Sequence, residues 1–181
     1  MRDMAMHIMD IAQNSIYANA TSITIEVIEN KDDDSYVVIV DDNGGGMSRE
    51  MVSTVTDPYV TTRTTRKTGL GIPLLKLNAE RTGGSFNIRS EEGKGTKVEA
   101  EFVFTHPDRL PAGDIAGIIV LLIAANPDIE FKYQHVTNKG KFTICTAEIN
   151  EILDGVSISE PSVLRFLKEM IKENQQQILI S

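Results

Sequence analysis

Two polar residues one helical turn apart carry the first chemical signal in this sequence. Asp10 and Asn14 lie four positions apart in a segment with helical periodicity, so their side chains share one face of a helix. The amide oxygen of Asn14 is a hard ligand of the kind that Mg²⁺ takes alongside water and substrate phosphates. The Asp10 carboxylate is placed to orient an attacking water or hydroxyl, or to take its proton. The pair predicts metal-assisted chemistry, and the competing interpretation is two exposed polar residues of a helix.

A carboxylate followed by glycines is the second signal. Asp42 stands after the apolar run 36–40 and is followed by Asn43 and three glycines, of which Gly44 and Gly46 are the first and last. A carboxylate at a strand end can accept a hydrogen bond from the exocyclic amine of adenine, a contact that guanine cannot supply. Glycines let the backbone approach a flat base closely. The segment predicts an adenine-binding turn, and the alternative is an ordinary Asp-Asn-Gly connection between two elements.

The third signal is a pair of glycines where a polar loop meets a helix. Gly69 and Gly71 precede a predicted helix, whose free backbone N–H groups and dipole would form an anion site. Arg63, Arg66 and Lys67 come just before these glycines and are candidates for cationic contacts to phosphate. The other interpretation of these three side chains is that they are solvated.

Predicted helices and strands position all three segments. Apolar periodicity predicts helices over residues 4–19, 48–55 and 71–81, and strands over 23–27, 36–40, 85–90 and 96–104. Pro73 near the first turn and the glycines at 83 and 84 delimit the third helix. Residues 56–67 are rich in Thr and Arg and lack an apolar period, which predicts a loop.

The sequence of residues 106–111 indicates a boundary between two parts of the chain. The sequence predicts one domain over residues 1–105 and a small α+β C-terminal unit of unassigned role over residues 106–181. This unit would contain an apolar helix over 114–125, a hairpin over 129–136 and 141–146, and a last amphipathic helix. The spacing in that helix predicts one buried face, made of Val163, Phe166, Leu167, Met170 and Ile171.

In this order, and with a Gly93-x-Gly95-Thr96 turn further on, the three segments resemble the N, G1 and G2 boxes of the GHKL superfamily. Its members share the Bergerat ATP-binding fold and include DNA gyrase, the heat-shock chaperone, sensor histidine kinases and mismatch-repair ATPases. The resemblance covers roughly residues 4 to 104. It implies an α+β fold, a two-layer sandwich in which a mixed sheet carries helices on one face.

The resemblance also implies roles for individual residues. Asn14 would coordinate Mg²⁺, and Asp10 stands where the family usually has a glutamate base, one methylene longer. Asp42 maps onto the adenine-reading aspartate, because its neighbour Asp41 has the wrong spacing to the glycines. Residues 56–68 would form a lid over ATP. Tyr59 resembles the aromatic residue that often opens this lid in histidine kinases, and the alternative is that it packs the loop against the body of the domain. The remaining nucleotide contacts implied are Gly44, Gly46, Met47, Arg63, Lys67, Gly69, Leu70, Gly71 and Thr96.

Composition narrows the class of protein. A net charge of −8 argues against a nucleic-acid binder, which normally shows a basic stripe. The single cysteine, Cys145, excludes an intramolecular disulfide and a cysteine metal cluster. The start of the chain shows no apolar signal segment, and the longest apolar run, 115–125, is about half of a membrane-spanning helix. Composition therefore predicts a cytoplasmic protein that binds neither nucleic acid nor membrane, and the resemblance implies that it binds ATP, Mg²⁺ and a protein partner.

The use of the bound ATP is open among three classes of function. One is a histidine-kinase-like domain that transfers phosphate to, or regulates, a partner, since Thr68 to Lys76 resembles the kinase branch. The chain begins at the first motif helix, and His7, His106 and His135 lack the usual acceptor context, so the acceptor is expected elsewhere.

The second class is a non-catalytic ATP sensor whose lid orders around the γ-phosphate. The short Asp10 side chain favours it, because a displacement of about an ångström can cost on the order of a hundredfold in rate. The third is a slow ATPase of the repair or topoisomerase type, which the acidic charge disfavours.

Overall fold

The computed structural model describes residues 2–56 and 70–179 of the 181-residue chain. Helices and strands alternate irregularly in these ranges. They are α1 (Met4–Tyr17), β1 (Ser22–Asn30), β2 (Ser35–Asp42), α2 (Arg49–Val55), α3 (Gly71–Arg81), β3 (Ser85–Glu91), β4 (Gly95–Val103), α4 (Ile115–Ala125), β5 (Glu130–Thr137), β6 (Gly140–Cys145), α5 (Thr146–Leu153) and α6 (Pro161–Leu179).

The strands form one mixed sheet with the order β3-β4-β2-β1-β5-β6. Neighbouring strands are antiparallel except β1 and β5, which pair in parallel from Ser22 opposite Glu130 to Glu29 opposite Thr137. Strict alternation places every second residue of β1 on the buried face, as the period of two requires. The sheet therefore presents one apolar face for the helices to cover.

Helices α1, α3, α4 and α6 form the covering layer. Helix α1 packs against both α3 and α4, and α4 packs against α6. The predicted α+β fold with a mixed sheet and a helical layer is confirmed. None of the helices in the described part of the chain has the length and apolar content needed to cross a membrane.

Most predicted elements occur within a few residues of their predicted bounds, and α3 begins and ends where the sequence indicated. Helix α5 was not predicted. It has eight residues and follows β6 directly, without a glycine or proline between them. The prediction that Phe166 lies on the buried face of α6 is wrong, because its side chain is 64% exposed while Leu167 is buried.

The segment after residue 105 is attached to the rest of the molecule at several points. The Arg109 guanidinium stacks over the rings of Tyr36 and Phe104, at 4.9 and 4.7 Å from their centroids. Strand β5 extends the sheet through β1, and one hydrophobic core contains residues from both sides of the predicted boundary. The division into domains at residues 105 and 106 stays a prediction.

A buried polar cluster, the distal cluster, lies at the end of the sheet where β1 ends. His135 Nε2 lies 3.0 Å from Glu29 Oε1, and Tyr133 OH lies 3.0 Å from His135 Nδ1. Gln175 of α6 donates to Tyr133 OH at 2.8 Å. Burial raises the pKa of Tyr133, which keeps its hydroxyl protonated. All four side chains are satisfied when donation runs from Gln175 through Tyr133 and His135 to Glu29.

Candidate functional site

The site is built around Asp42, the last residue of β2. Its Oδ1 accepts hydrogen bonds from the backbone amides of Gly44 at 2.8 Å and Thr96 at 3.3 Å. Its Oδ2 accepts from the Ser15 hydroxyl of α1 at 2.6 Å. A carboxylate offers about four acceptor positions, so these three donors fix its orientation and leave capacity for a donor from outside the protein.

The glycine turn after Asp42 is held between α1 and the β3–β4 turn. The amide of Gly45 donates to the Ala18 carbonyl at 2.8 Å, and the Gly45 carbonyl accepts from the amide of Gly93 at 2.8 Å. Gly46 has φ +65°, and a β-carbon there would overlap the carbonyl of Glu91. Packing alone therefore requires glycine at this position.

Two serines that the sequence analysis did not single out complete this part of the site. Ser90 Oγ accepts from the Met47 amide at 2.8 Å and lies 2.8 Å from Thr96 Oγ1. Ser15 orients Asp42. The sequence could have predicted that both serines point inward. Ser15 lies seven residues after Ile8 on the buried stripe of α1, and Ser90 continues the inward alternation of β3. A buried hydroxyl needs a partner.

The second part of the site lies where α1 meets the start of α3. Gly71 is the buried first residue of α3, and a β-carbon on it would lie 3.1 Å from Asp10 Cβ and 3.2 Å from Asp10 Oδ2. No side chain of the described residues caps the start of α3, and the first amides of a helix can bind an anion. Asn14 lies half-buried one turn after Asp10 on α1. Burial raises the pKa of Asp10.

The comparison with family models identifies the group to which these motifs belong. The model described as "Histidine kinase-, DNA gyrase B-, and HSP90-like ATPase" matches residues 2–107, more than half of the chain. The chain belongs to this ATPase family. It therefore contains a GHKL ATP-binding domain, and the predicted membership is confirmed.

Solved structures show the same fold at low sequence identity. The "Aquifex aeolicus MutL ATPase domain complexed with ADP" is 16% identical, with a TM-score of 0.51 over 80% of this chain and 64% of that chain. The "N terminal domain of a DNA repair protein" is 18% identical, with a TM-score of 0.51 over 80% of this chain and 52% of that one. The chain thus spans less than two thirds of either relative. A search of the curated proteins gives no match.

One histidine of this ATPase domain has a clear structural position beside the site. His7 is 1% exposed, and its Nε2 lies 2.9 Å from Asn78 Nδ2 of α3. Burial lowers the pKa of His7 to about 4, so the ring is neutral near pH 7. His7 thus links α1 to α3 one turn before Asp10.

Eight predicted site residues lie on neighbouring parts of the fold, which are α1, the end of β2 with the turn after it, β4 and the start of α3. They are Asp10, Asn14, Asp42, Gly44, Gly46, Met47, Gly71 and Thr96. Leu70 precedes α3 with 53% of its side chain exposed. Three other predicted contacts lie outside the described residues: Arg63, Lys67 and Gly69. So does nearly all of the predicted lid, including Tyr59 and Arg66.

Proposed function

We propose that this member of the family is a Mg²⁺-dependent ATP-binding protein that transfers phosphate to, or regulates, a partner protein. The observation that carries the proposal is the position of Asp10 against Gly71 at the start of α3, which no side chain of the described residues caps. A carboxylate beside an anion-binding helix end is positioned to act on a group that attacks a bound phosphate.

Asp42 is assigned to adenine recognition. The amides of Gly44 and Thr96 and the Ser15 hydroxyl hold its carboxylate in place. The remaining acceptor capacity suits the exocyclic amine of adenine, whereas the same position in guanine carries an acceptor and would repel the carboxylate. This predicts preference for ATP over GTP.

Asn14 is assigned to Mg²⁺, which neutralises phosphate charge when bound. The residues present fit the ion, since an amide oxygen and the Asp10 carboxylate lie one turn apart on the side of α1 that meets Gly71. The first backbone N–H groups of α3 would hold the terminal phosphates, and Arg63 and Lys67 are proposed to add cationic contacts.

In the proposed transfer, the bond between the γ-phosphorus and the β–γ bridging oxygen breaks, and ADP leaves with that oxygen. The γ-phosphorus gains a bond to an acceptor atom of the partner, or to water in slow hydrolysis. The acceptor proton goes to Asp10. The raised pKa of Asp10 makes it a better proton acceptor than an exposed aspartate.

The alternative use of ATP is as a switch without chemistry, or with only slow hydrolysis. The observation in its favour is the length of Asp10, which is one methylene shorter than the glutamate expected at this position. Incubation with γ-labelled ATP separates these functions. Label on a partner protein supports transfer, label released as phosphate supports hydrolysis, and label retained in bound ATP supports the switch.

The matched variants for this experiment lie on α1. Asp10→Asn should abolish the transfer or release of label and preserve ATP binding. Asn14→Ala should remove the Mg²⁺ dependence of ATP binding, whereas Gln13→Ala, at the exposed neighbouring position, should keep it. Wild-type metal dependence in the Asn14 variant, measured by calorimetric titration, would exclude Asn14 as the ligand.

A further inference from the structure

The imidazole of His7 is buried in a way that does not favour stability. Its Nε2 lies 2.9 Å from the Nδ2 amide nitrogen of Asn78, which donates the hydrogen bond. The neutral ring therefore carries its proton on Nδ1. Nδ1 is buried, and among the described residues it has no hydrogen-bond partner. A buried donor without a partner costs free energy, so an apolar side chain would serve stability better at this position.

His7 shares one face of α1 with the two residues assigned to the phosphate end of the site. Asp10 follows it by three positions and Asn14 by seven, so the three side chains lie along one face of the helix. On α3, Gly71 and Asn78 are also seven positions apart. The two helices therefore meet at two points, Asp10 against Gly71 and His7 against Asn78.

The two points of contact differ in kind. At Gly71 the helices approach closely, since a β-carbon there would lie 3.1 Å from Asp10 Cβ. Helix α3 also packs on β3 and β4. Apolar packing is non-directional, whereas the hydrogen bond between His7 and Asn78 fixes the positions of the two atoms that form it. This bond therefore opposes sliding of α3 along α1.

We propose that His7 is a positioning residue for the triphosphate of ATP. Through Asn78 it holds the start of α3 at the distance from Asp10 and Asn14 that the terminal phosphates and Mg²⁺ require. The inference rests on the proposed function, because it takes the first amides of α3 as the phosphate site. It also gives a reason for a buried imidazole that does not favour stability.

The adenine end of the site serves as an internal reference. The Asp42 carboxylate is held by the Ser15 hydroxyl and by the amides of Gly44 and Thr96. These three donors lie outside α3. A displacement of α3 should therefore reduce the affinity contributed by the phosphates and leave the affinity for adenosine unchanged. A residue that only stabilises the fold would not change the two affinities selectively.

The test compares the binding of MgATP and adenosine by calorimetric titration. His7→Leu should reduce the ratio of the two affinities by about tenfold, the effect of losing one hydrogen bond to a charged group. Its urea midpoint should equal or exceed that of the wild type. His7→Gln keeps a group that can bond to Asn78 and should restore the ratio. Leu77→Ala, at a 53% exposed position on α3, is the matched control and should keep the wild-type ratio.

A second variant removes the same hydrogen bond from α3. Asn78→Ala, at a half-buried position, should reduce the ratio as His7→Leu does, and the double variant should reduce it no further. An unchanged ratio in both single variants would overturn the positioning role, as would an equal loss of affinity for both ligands. A wild type that binds adenosine as tightly as MgATP would overturn the phosphate site of the proposed function, and this inference with it.

Discussion

Each end of the central sheet holds a carboxylate among hydrogen-bond donors, but the two carboxylates differ in how completely the protein itself satisfies them. Asp42 is half-buried and receives donors from α1, β4 and its own turn, with acceptor capacity remaining. Glu29 is 8% exposed and belongs to a chain of side chains that ends on α6. The comparison indicates that one polar end is suited to a ligand, while the other holds a helix onto the sheet.

The largest effect should come from removing the C-terminal part of the chain. A fragment of residues 1–107 lacks β5, so it exposes the backbone edge of β1 and the side of α1 that packs against α4. We expect this fragment to be unfolded or aggregated by circular dichroism and light scattering. A soluble, cooperatively folded fragment that binds ATP would instead support a domain boundary at residues 105 and 106.

Breaking the distal cluster should cost stability and leave nucleotide affinity unchanged. His135→Ala leaves Glu29 buried without its partner, a change that costs about 4 kcal/mol. Urea unfolding measures this loss, and calorimetry measures ATP binding to the folded variant. The control is Gln134→Ala, whose side chain lies on the opposite face and donates to Glu26. Equal stability of the two variants would contradict the role given to the cluster.

Acid should weaken the α1–α3 contact through His7. Burial lowers the pKa of His7 from 6.5 to about 4, so between these values the unfolded chain binds a proton that the folded chain does not. The free energy of unfolding therefore falls by about 3 kcal/mol as the pH drops through this window. Above the window His7 is neutral in both states and causes no loss of stability. Unfolding of wild type and His7→Gln at about pH 7 and about pH 4 should show a smaller loss in the variant. An identical loss would contradict the assignment.

The smallest expected change is in the free energy of ATP binding at the end of the sheet that holds Asp42. Asp42→Asn should weaken ATP binding by more than about 1.4 kcal/mol, which is tenfold, and change stability little. Asp41→Asn is the matched control, because alternation points its side chain to the opposite face of β2. Calorimetric titration distinguishes them, and wild-type affinity in the Asp42 variant would exclude its contact with adenine.

Local patterns in the sequence predicted several of the features compared here. The limits of α3 follow from Pro73 and the glycines at 83 and 84, and the position of Asp42 follows from the strand before it and the turn after it. The distal cluster could not be predicted, because Glu29 and His135 lie 106 residues apart and nothing local specifies their pairing. Helix α5 was missed because eight residues are too few to establish a helical period.

The spacing of apolar residues predicted the buried face of α6 only approximately, and Phe166 is exposed. The residue lies on the margin of the apolar stripe, and the packing partners of α6 decide which margin is covered. The same limit applies to the predicted site. Motif order placed the described site residues on elements that occur in the structure. The partners of Ser15 and Ser90 were not predicted, because Asp42 and Met47 lie 27 and 43 residues away from them in the chain.

The parallel pairing of β1 with β5 has a consequence for the order in which this protein folds. β1 meets β2 within a few residues, so their hairpin can form while the chain is still being synthesised. Its other neighbour is made more than a hundred residues later. Closing so long a loop is slow, and until then β1 presents an open edge to other chains. Nascent or stalled chains that end before residue 130 should therefore be the species that depends most on chaperones.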